Sequence, residues 1–451
     1  MRARNAAGRG GERGAALLVV IVSVAILTAL AADLAYESRV SLEIAAGARD
    51  ELRATYLAKS GVALSRMVLG FQQQIDDAAF AACGLASGIG QARAPGQRGR
   101  GAAPAQQPAP PCPRPQIWSA VPVGSALVQS LFGGGAPAEA PPGDTARAAF
   151  GDFDGTFEAK IEDEGRKVNA QLDAREISGP ARMQVQGLYQ LVCDPRWDPL
   201  FEREDANGTR TSRQDLIVHM RDWIDDDKVS SSLVASFPGT ACLMEPADRP
   251  FEPGFGDENF PYDKGEDRYR AKNARLDSIE ELFLVAGVSD AFISAFGDRL
   301  TVYLPVEAPR NVNTLDRRDL VELAGLLAAP PGQPALLDPE FGAKLQQAIS
   351  DQTLGGLMTI TPQQLAGTVE ALGVRIDAAG LSPASGNQFL TDRSYVFRIH
   401  ATGSAGAVAK RIDAVVSFDP TQNRDAQAQV QQLQATATGV KPSRILRWRE
   451  E

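Results

Sequence analysis

Histidine and cysteine are scarce. The 451 residues contain two histidines, His219 and His400, and four cysteines, Cys83, Cys112, Cys193 and Cys242. Imidazole catalysis and zinc sites need several imidazoles or thiolates converging, so this composition argues against most histidine-dependent enzymes and zinc centres. An excess of basic charge is also missing. Lys+Arg 46 against Asp+Glu 56 leaves a net charge of -10 and a pI of about 5.0, which argues against a broad electrostatic grip on nucleic acid. Aromatic residues are only 6%, whereas Gly 42 and Pro 29 are high and concentrated in stretches, a pattern of long loops beside folded parts. With 44% hydrophobic residues over this length, two or three domains with real cores are expected.

What is present begins at the N-terminus. Arg2, Arg4, Arg9 and Arg13 stand against Glu12, and Ala15 to Ala32 then carry no charge. Those residues make roughly 27 Å of helix, near the hydrocarbon thickness of a bilayer, and the arginine excess assigns the leader to the cytoplasmic side. A cleaved secretory signal is the alternative, with Ala29, Ala31 and Ala32 as a small-residue site. Helical pattern continues past the membrane edge through Leu34, Leu42, Ile44, Leu52, Leu57, Val62 and Met67, which predicts one helix from about Ala15 to Gln74. In an exported chain disulfides are permitted. Four cysteines allow three connectivities, and sequence order favours Cys83 with Cys112 and Cys193 with Cys242.

A basic leader ending at Arg13-Gly14, followed at once by the apolar helix from Ala15, resembles the type IV pilin layout and its prepilin peptidase site. Cleavage after Gly14 would make Ala15 the first mature residue. Most pilins carry Glu at mature position five; here that position is Val19. An uncharged residue there resembles the minor pseudopilin K family of type II secretion systems. A subunit with no neighbour above it would leave a carboxylate unpaired in the membrane, which is costly.

Past the helix, residues 84–145 form a Pro/Gly-rich insert, read as loop with one strand around Ile117 to Val123. Alternation from Phe153 to Leu172 predicts a hairpin whose acidic stretch, Glu162-Asp163-Glu164, is a solvated turn. A helical block follows. The helix over Gln214 to Ile224 runs into Asp225-Asp226-Asp227, and the later loop Gly256-Asp257-Glu258-Asn259-Phe260-Pro261-Tyr262 offers more oxygens. Hard oxygen ligands on flexible loops suit calcium. This is not an EF-hand, since the sixth and twelfth positions from Asp225 are Ser230 and Ser236. A solvated acidic loop is the bland alternative.

The order Trp223-Ile224-Asp225-Asp226-Asp227, Gly256 to Tyr262, Tyr269-Arg270-Ala271-Lys272-Asn273 and Ser278-Ile279-Glu280-Glu281-Leu282 resembles the same family's calcium-binding segments. The resemblance implies calcium ligands at Asp225, Asp227, Glu258, Asn259 and Asn273, with Asn259 standing where the pattern has Asp. Leu276 to Gly287, and Asn311-Val312-Asn313-Thr314 leading into Leu315 to Leu327 with Thr314 as N-cap, resemble tandem helix-hairpin-helix or SAM-like units, read as protein-packing modules. Short helices are predicted at Phe341 to Ile349 and Pro362 to Leu372, then a hairpin from Tyr395 to Phe418 with His400 at a surface or edge, and a last strand from Ile445.

The family resemblance thus implies an α+β, type IV pilin-like fold: a long N-terminal helix packed on an antiparallel sheet, interrupted by a large inserted α-helical domain. Its expected divisions are a leader over 1–14, the membrane or bundle part of the helix over 15–35 and its periplasmic part over 36–75. The sheet's first part spans 150–175, the inserted domain 180–330, a variable insert 331–388, and the final strands 389–451. The implied function is a non-enzymatic subunit capping the tip of the type II secretion pseudopilus, single-pass in the bacterial inner membrane with its C-terminal domain in the periplasm. Implied partners are the I- and J-type minor pseudopilins, the pseudopilus, prepilin peptidase and the inner-membrane secretion platform, and not nucleic acid. A membrane-tethered periplasmic hydrolase with a metal at Asp225, Asp227 and Glu258 is the competing class; it would need a positioned water, a base and a cleft.

Overall fold

The structure, a computed structural model, describes residues 11–86, 113–132, 155–172, 179–201, 204, 210–234, 250–263, 268–306, 308–330, 332–377, 381, 389–419 and 442–451. Helix α1 (Gly11–Ala86) runs unbroken for 76 residues, longer at both ends than its apolar pattern predicts. Its most apolar 18-residue window has a mean hydropathy of 2.8 and is wholly unburied, so among the described residues one helix is long and apolar enough to cross a membrane. Burial starts only at Ala54. From there Ala54, Leu57, Ala58, Val62 and Leu69 form a stripe with helical spacing that faces the sheet.

Within the 84–145 insert, residues 113–132 are described. The segment supplies α2 (Ile117–Ala120), the short edge strand β1 (Val123–Gly124) and α3 (Ser125–Phe132). Arg114 ahead of them is buried, its guanidinium 2.8 Å from Asp392 and 3.6 Å from Asp76 of α1. A linker reading therefore fails for this part: a buried arginine held by two carboxylates pins the segment to the helix.

β2 (Thr156–Asp163) then enters the sheet. The next strand, β3 (Val168–Asn169), does not fold back on it as a hairpin. It pairs in parallel with a later strand, β6 (Leu300–Thr301), because the chain leaves the sheet here. Asp163 and Glu164 at the exit are buried rather than solvated. Asp163 Oδ2 accepts from Ser394 (2.5 Å) and Thr314 (2.6 Å), and Glu164 Oε1 accepts from Lys167 (2.9 Å) and Arg398 (2.6 Å). Ser394, Thr314 and Arg398 lie far along the chain, so no local pattern could announce this burial.

The excursion builds two apolar cores. The first holds α4 (Gly179–Val192), α5 (Asp198–Phe201), α6 (Arg213–Asp222), the antiparallel pair β4 (Val229–Leu233) and β5 (Phe251–Asp257), then α7 (Asp290–Phe296) and β6. Leu188, Leu216, Met220, Leu282 and Phe296 fill it, and Val396 and Val415 of the sheet's other face close it. The second core lies between β7 (Arg310–Asn311) and its parallel partner β8 (Leu390–Thr391), around α8 (Arg317–Leu327), α9 (Phe341–Gln352) and α10 (Pro362–Ala371). The N-cap of α8 is Asp316 rather than Thr314. The Thr314 hydroxyl is taken by Asp163, while the Asp316 carboxylate accepts from Asp319 N–H at 2.8 Å.

The chain returns through β9 (Val396–Ala405), β10 (Val408–Ser417) and β11 (Arg444–Glu450) to complete an antiparallel sheet in the order β1-β2-β9-β10-β11. Phe397, Ile399 and Ala401 of β9, with Ile412, Ala414 and Val416 of β10, face α1. The fold is α+β, a long helix on an antiparallel sheet whose second and third strands are separated by the helical excursion. Cys83 and Cys193 are each disulfide-bonded, and no cysteine among the described residues is free. Cys112 and Cys242 lie outside the described residues, as do residues 1–10 of the expected leader.

Candidate metal site

α6 is started by a reciprocal cap between Ser212 and Asp215 and ends at Asp222. Beyond it the turn continues helically for one step, with Asp225 N–H donating to Arg221 O at 3.0 Å, before β4 begins. Asp227 Oδ1 accepts from Val229 N–H at 2.7 Å and shapes that turn. The β4–β5 pairing sets Val229 opposite Asp257, so the end of β5 delivers Glu258 beside the turn after α6. This is how residues far apart in sequence meet. Carboxylate oxygens of Asp225, Asp227 and Glu258 all lie within 4.8 Å of one another.

Asp225 and Glu258 are buried, at 3% and 2% exposure, and Asp227 is exposed. Asp225 pairs with Arg221, Nη1 to Oδ2 at 3.1 Å. Neither Glu258 oxygen has a donor in hydrogen-bonding geometry, although the nearby Asn273 amide favours its charged form. Burial, followed by the charges of Asp225, Asp222 and Asp227, raises the Glu258 pKa to about 7. Burying carboxylates together without compensation is unfavourable, and a hard cation is one species that would relieve it.

Asn273 sits at φ 51, a left-handed conformation that asparagine tolerates. Its Nδ2 donates to Asp227 O at 2.6 Å, and its Oδ1 is buried without a hydrogen-bond partner. Asn259 is turned differently. Its Oδ1 accepts from Ala271 N–H at 3.0 Å and its Nδ2 donates to Asp257 Oδ1 at 3.0 Å, tying the loop after β5 to the segment that carries Asn273. Trp223, Tyr262 and Tyr269 pack behind the turn with centroids 5.2–6.2 Å apart. A cleft of about 500 Å³ opens beside it, lined by Lys228, Asp257, Asn259, Tyr269, Arg270 and Asn273 among others.

An all-oxygen set with orphaned buried acceptors fits calcium better than a softer metal. Two participants escaped sequence reasoning. Asp222 is buried and holds β4 by accepting from Ser231 N–H at 2.9 Å, and Arg221 pairs with Asp225. The i, i+4 spacing of Arg221 and Asp225 on a helix is the signal that could have found the pair. The histidines stand away from this chemistry. His219 Nδ1 is 3.0 Å from Ala286 O, and His400 sits on the middle strand of the sheet rather than at an edge, between Asp413 (2.8 Å) and Glu162 (3.8 Å).

No protein-family model matches the chain, and no curated protein matches it. A solved structure does. The chain is similar to one in the crystal structure of the GspK-GspI-GspJ complex from the enterotoxigenic Escherichia coli type 2 secretion system, at 15% identity and a TM-score of 0.37. The match covers 66% of this chain and 80% of that one.

Proposed function

We propose that the chain is a K-type minor pseudopilin, a structural subunit that caps the tip of a type II secretion pseudopilus and acts in protein export without catalysis. The observation that carries the reading is α1: an apolar, wholly unburied window near the N-terminus continues without a break into a stripe that docks on the sheet from Ala54 onward. A free-standing enzyme has no use for such a stem. A subunit that must be held in the membrane and then packed among like helices does. Val19 adds direction, because a tip subunit needs no carboxylate at mature position five. In this reading prepilin peptidase cuts between Gly14 and Ala15, the chain crosses the inner membrane once with residues beyond the span in the periplasm, and α1 bundles with the I- and J-type minor pseudopilins on the secretion platform.

Calcium belongs to the same reading. Asp225, Asp227 and Glu258, with the Asn273 carbonyl, are its proposed ligands, and Asn259 acts by holding the loop. The ion would fasten the turn after α6 to the loop after β5 and stiffen the first helical core. Mass spectrometry of the mature N-terminus tests the stem. A start at Ala15, N-methylated, is expected; a start beyond Ala32 would refute the assignment.

A further inference from the structure

Arg221 lies one helical turn before Asp225, and its Nη1 is 3.1 Å from Asp225 Oδ2. The same guanidinium lies over the Phe251 ring of β5, 4.9 Å from its centroid, and donates to Ser231 Oγ of β4. Helix and strands together hold one positive charge against the carboxylate group, with the Arg221 side chain only 15% exposed. The buried Glu258 oxygens, which have no hydrogen-bond donor, are the independent sign that a cation belongs in the cluster.

We infer that Arg221 is the built-in counter-ion of the acidic cluster: it holds Asp225 when no divalent cation is bound and opposes the cation when one binds. The inference rests on the calcium reading given above. A fixed unit charge this close repels a divalent ion, and its pairing with Asp225 lowers the free energy of the cation-free fold. Both effects raise the calcium concentration needed for occupancy. Such opposition suits a site tuned to the higher calcium levels outside the cytoplasm. A partner that merely orients a ligand behaves in the opposite way, since its loss weakens metal binding by about 10- to 100-fold.

The test is calcium chloride titrated calorimetrically into the full chain in detergent, with melting in excess EDTA followed by circular dichroism. Arg221→Met keeps the aliphatic packing on Phe251 and removes the charge. It is expected to bind calcium about tenfold more tightly than wild type while melting at a lower temperature in EDTA. Arg221→Lys, which retains the charge, is expected to stay within about threefold of wild type. General damage lowers affinity and melting together, so movement in opposite directions is the signature. Arg221→Gln is the second uncharged variant, with the same expectation, should Arg221→Met not fold. If wild type binds calcium and the uncharged variants bind it no more tightly, the counter-ion assignment is overturned and the site stands. If wild type binds none, both fall.

Discussion

Gly403 marks a close approach of α1 to the sheet, and adding one methyl group there tests whether that contact is as tight as the geometry requires. A Cβ at Gly403 would lie 2.1 Å from Ala54 O, 2.5 Å from Ala58 N and 2.9 Å from Leu57 Cβ. The first two are backbone atoms of a helix, which cannot rotate aside as a side chain would. β9 cannot retreat either, because Gly403 pairs with Phe157 of β2 on one side and Lys410 of β10 on the other. Relief therefore means lifting the helix by about an ångström and loosening the buried stripe from Ala54 to Leu69. Overpacking of this kind costs about 1–3 kcal/mol, and with backbone on both sides the upper end applies. At about 2–4 °C per kcal/mol, Gly403→Ala should melt roughly 6–12 °C below wild type. Gly61→Ala is the control. Its Cβ would meet only side chains, Ala401 Cβ at 3.2 Å and Phe157 Cδ2 at 3.3 Å, and a helical alanine gains about 1 kcal/mol over glycine, so little net change is expected. Thermal denaturation of the full chain in detergent, followed by circular dichroism, separates the two. Equal melting of the two variants would refute the argument that the helix rests on β9 through a glycine.

Two further expectations concern charge. Because the Glu258 pKa is raised to about 7, above its ordinary 4.5, ionising it in the fold is unfavourable; without a cation, stability should fall as pH rises from about 4.5 through 7. Melting in EDTA should therefore be lower at pH 8 than at pH 5.5. Saturating calcium, which favours the charged form, should remove that fall, and an identical fall in both conditions would count against calcium at these residues. At His400 stability also falls with rising pH, but there it is the charged form that the fold favours. Its hydrogen bond to Asp413 and then the nearby Glu162 carboxylate raise its pKa from 6.5 to about 9, so its contribution is full below about 6.5 and is lost as pH rises through 9. Urea midpoints for wild type and His400→Gln should differ most near pH 6 and converge by pH 10. The half-exposed position and ionic screening hold the difference to about 1 kcal/mol, and a gap that widens toward pH 10 would contradict it.

The parts of the fold readable in the sequence are those set by local periodicity. The apolar run from Ala15, the stripe from Ala54 to Leu69 and the alternation through Phe397, Ile399 and Ala401 announce a helix and a strand without outside help. The carboxylates were readable as a candidate group because Asp225 and Asp227 share one turn and Glu258 follows a strand. What stayed hidden depends on partners distant in sequence. Asp163 looked solvated because Ser394 and Thr314, which bury it, come from the far side of the helical excursion. Likewise Arg114 read as linker because its carboxylates are Asp76 and Asp392. His400 looked peripheral because strand order is not written locally: β2 takes its place beside β9 across the whole excursion.

That strand order bears on how the molecule is made. Asp163 of β2 is opposite Phe397 of β9, so the central ladder cannot begin to zip until both helical cores have been synthesised and delivered. Pairings across so long a separation form late and slowly. Meanwhile α1, which precedes these strands in the chain, waits without its seat, since β9 and β10 supply most of the surface it rests on. A chain interrupted anywhere before Val396 keeps its anchor and lacks the platform that receives it. The strands from Val396 onward must therefore be in place before the helix is braced.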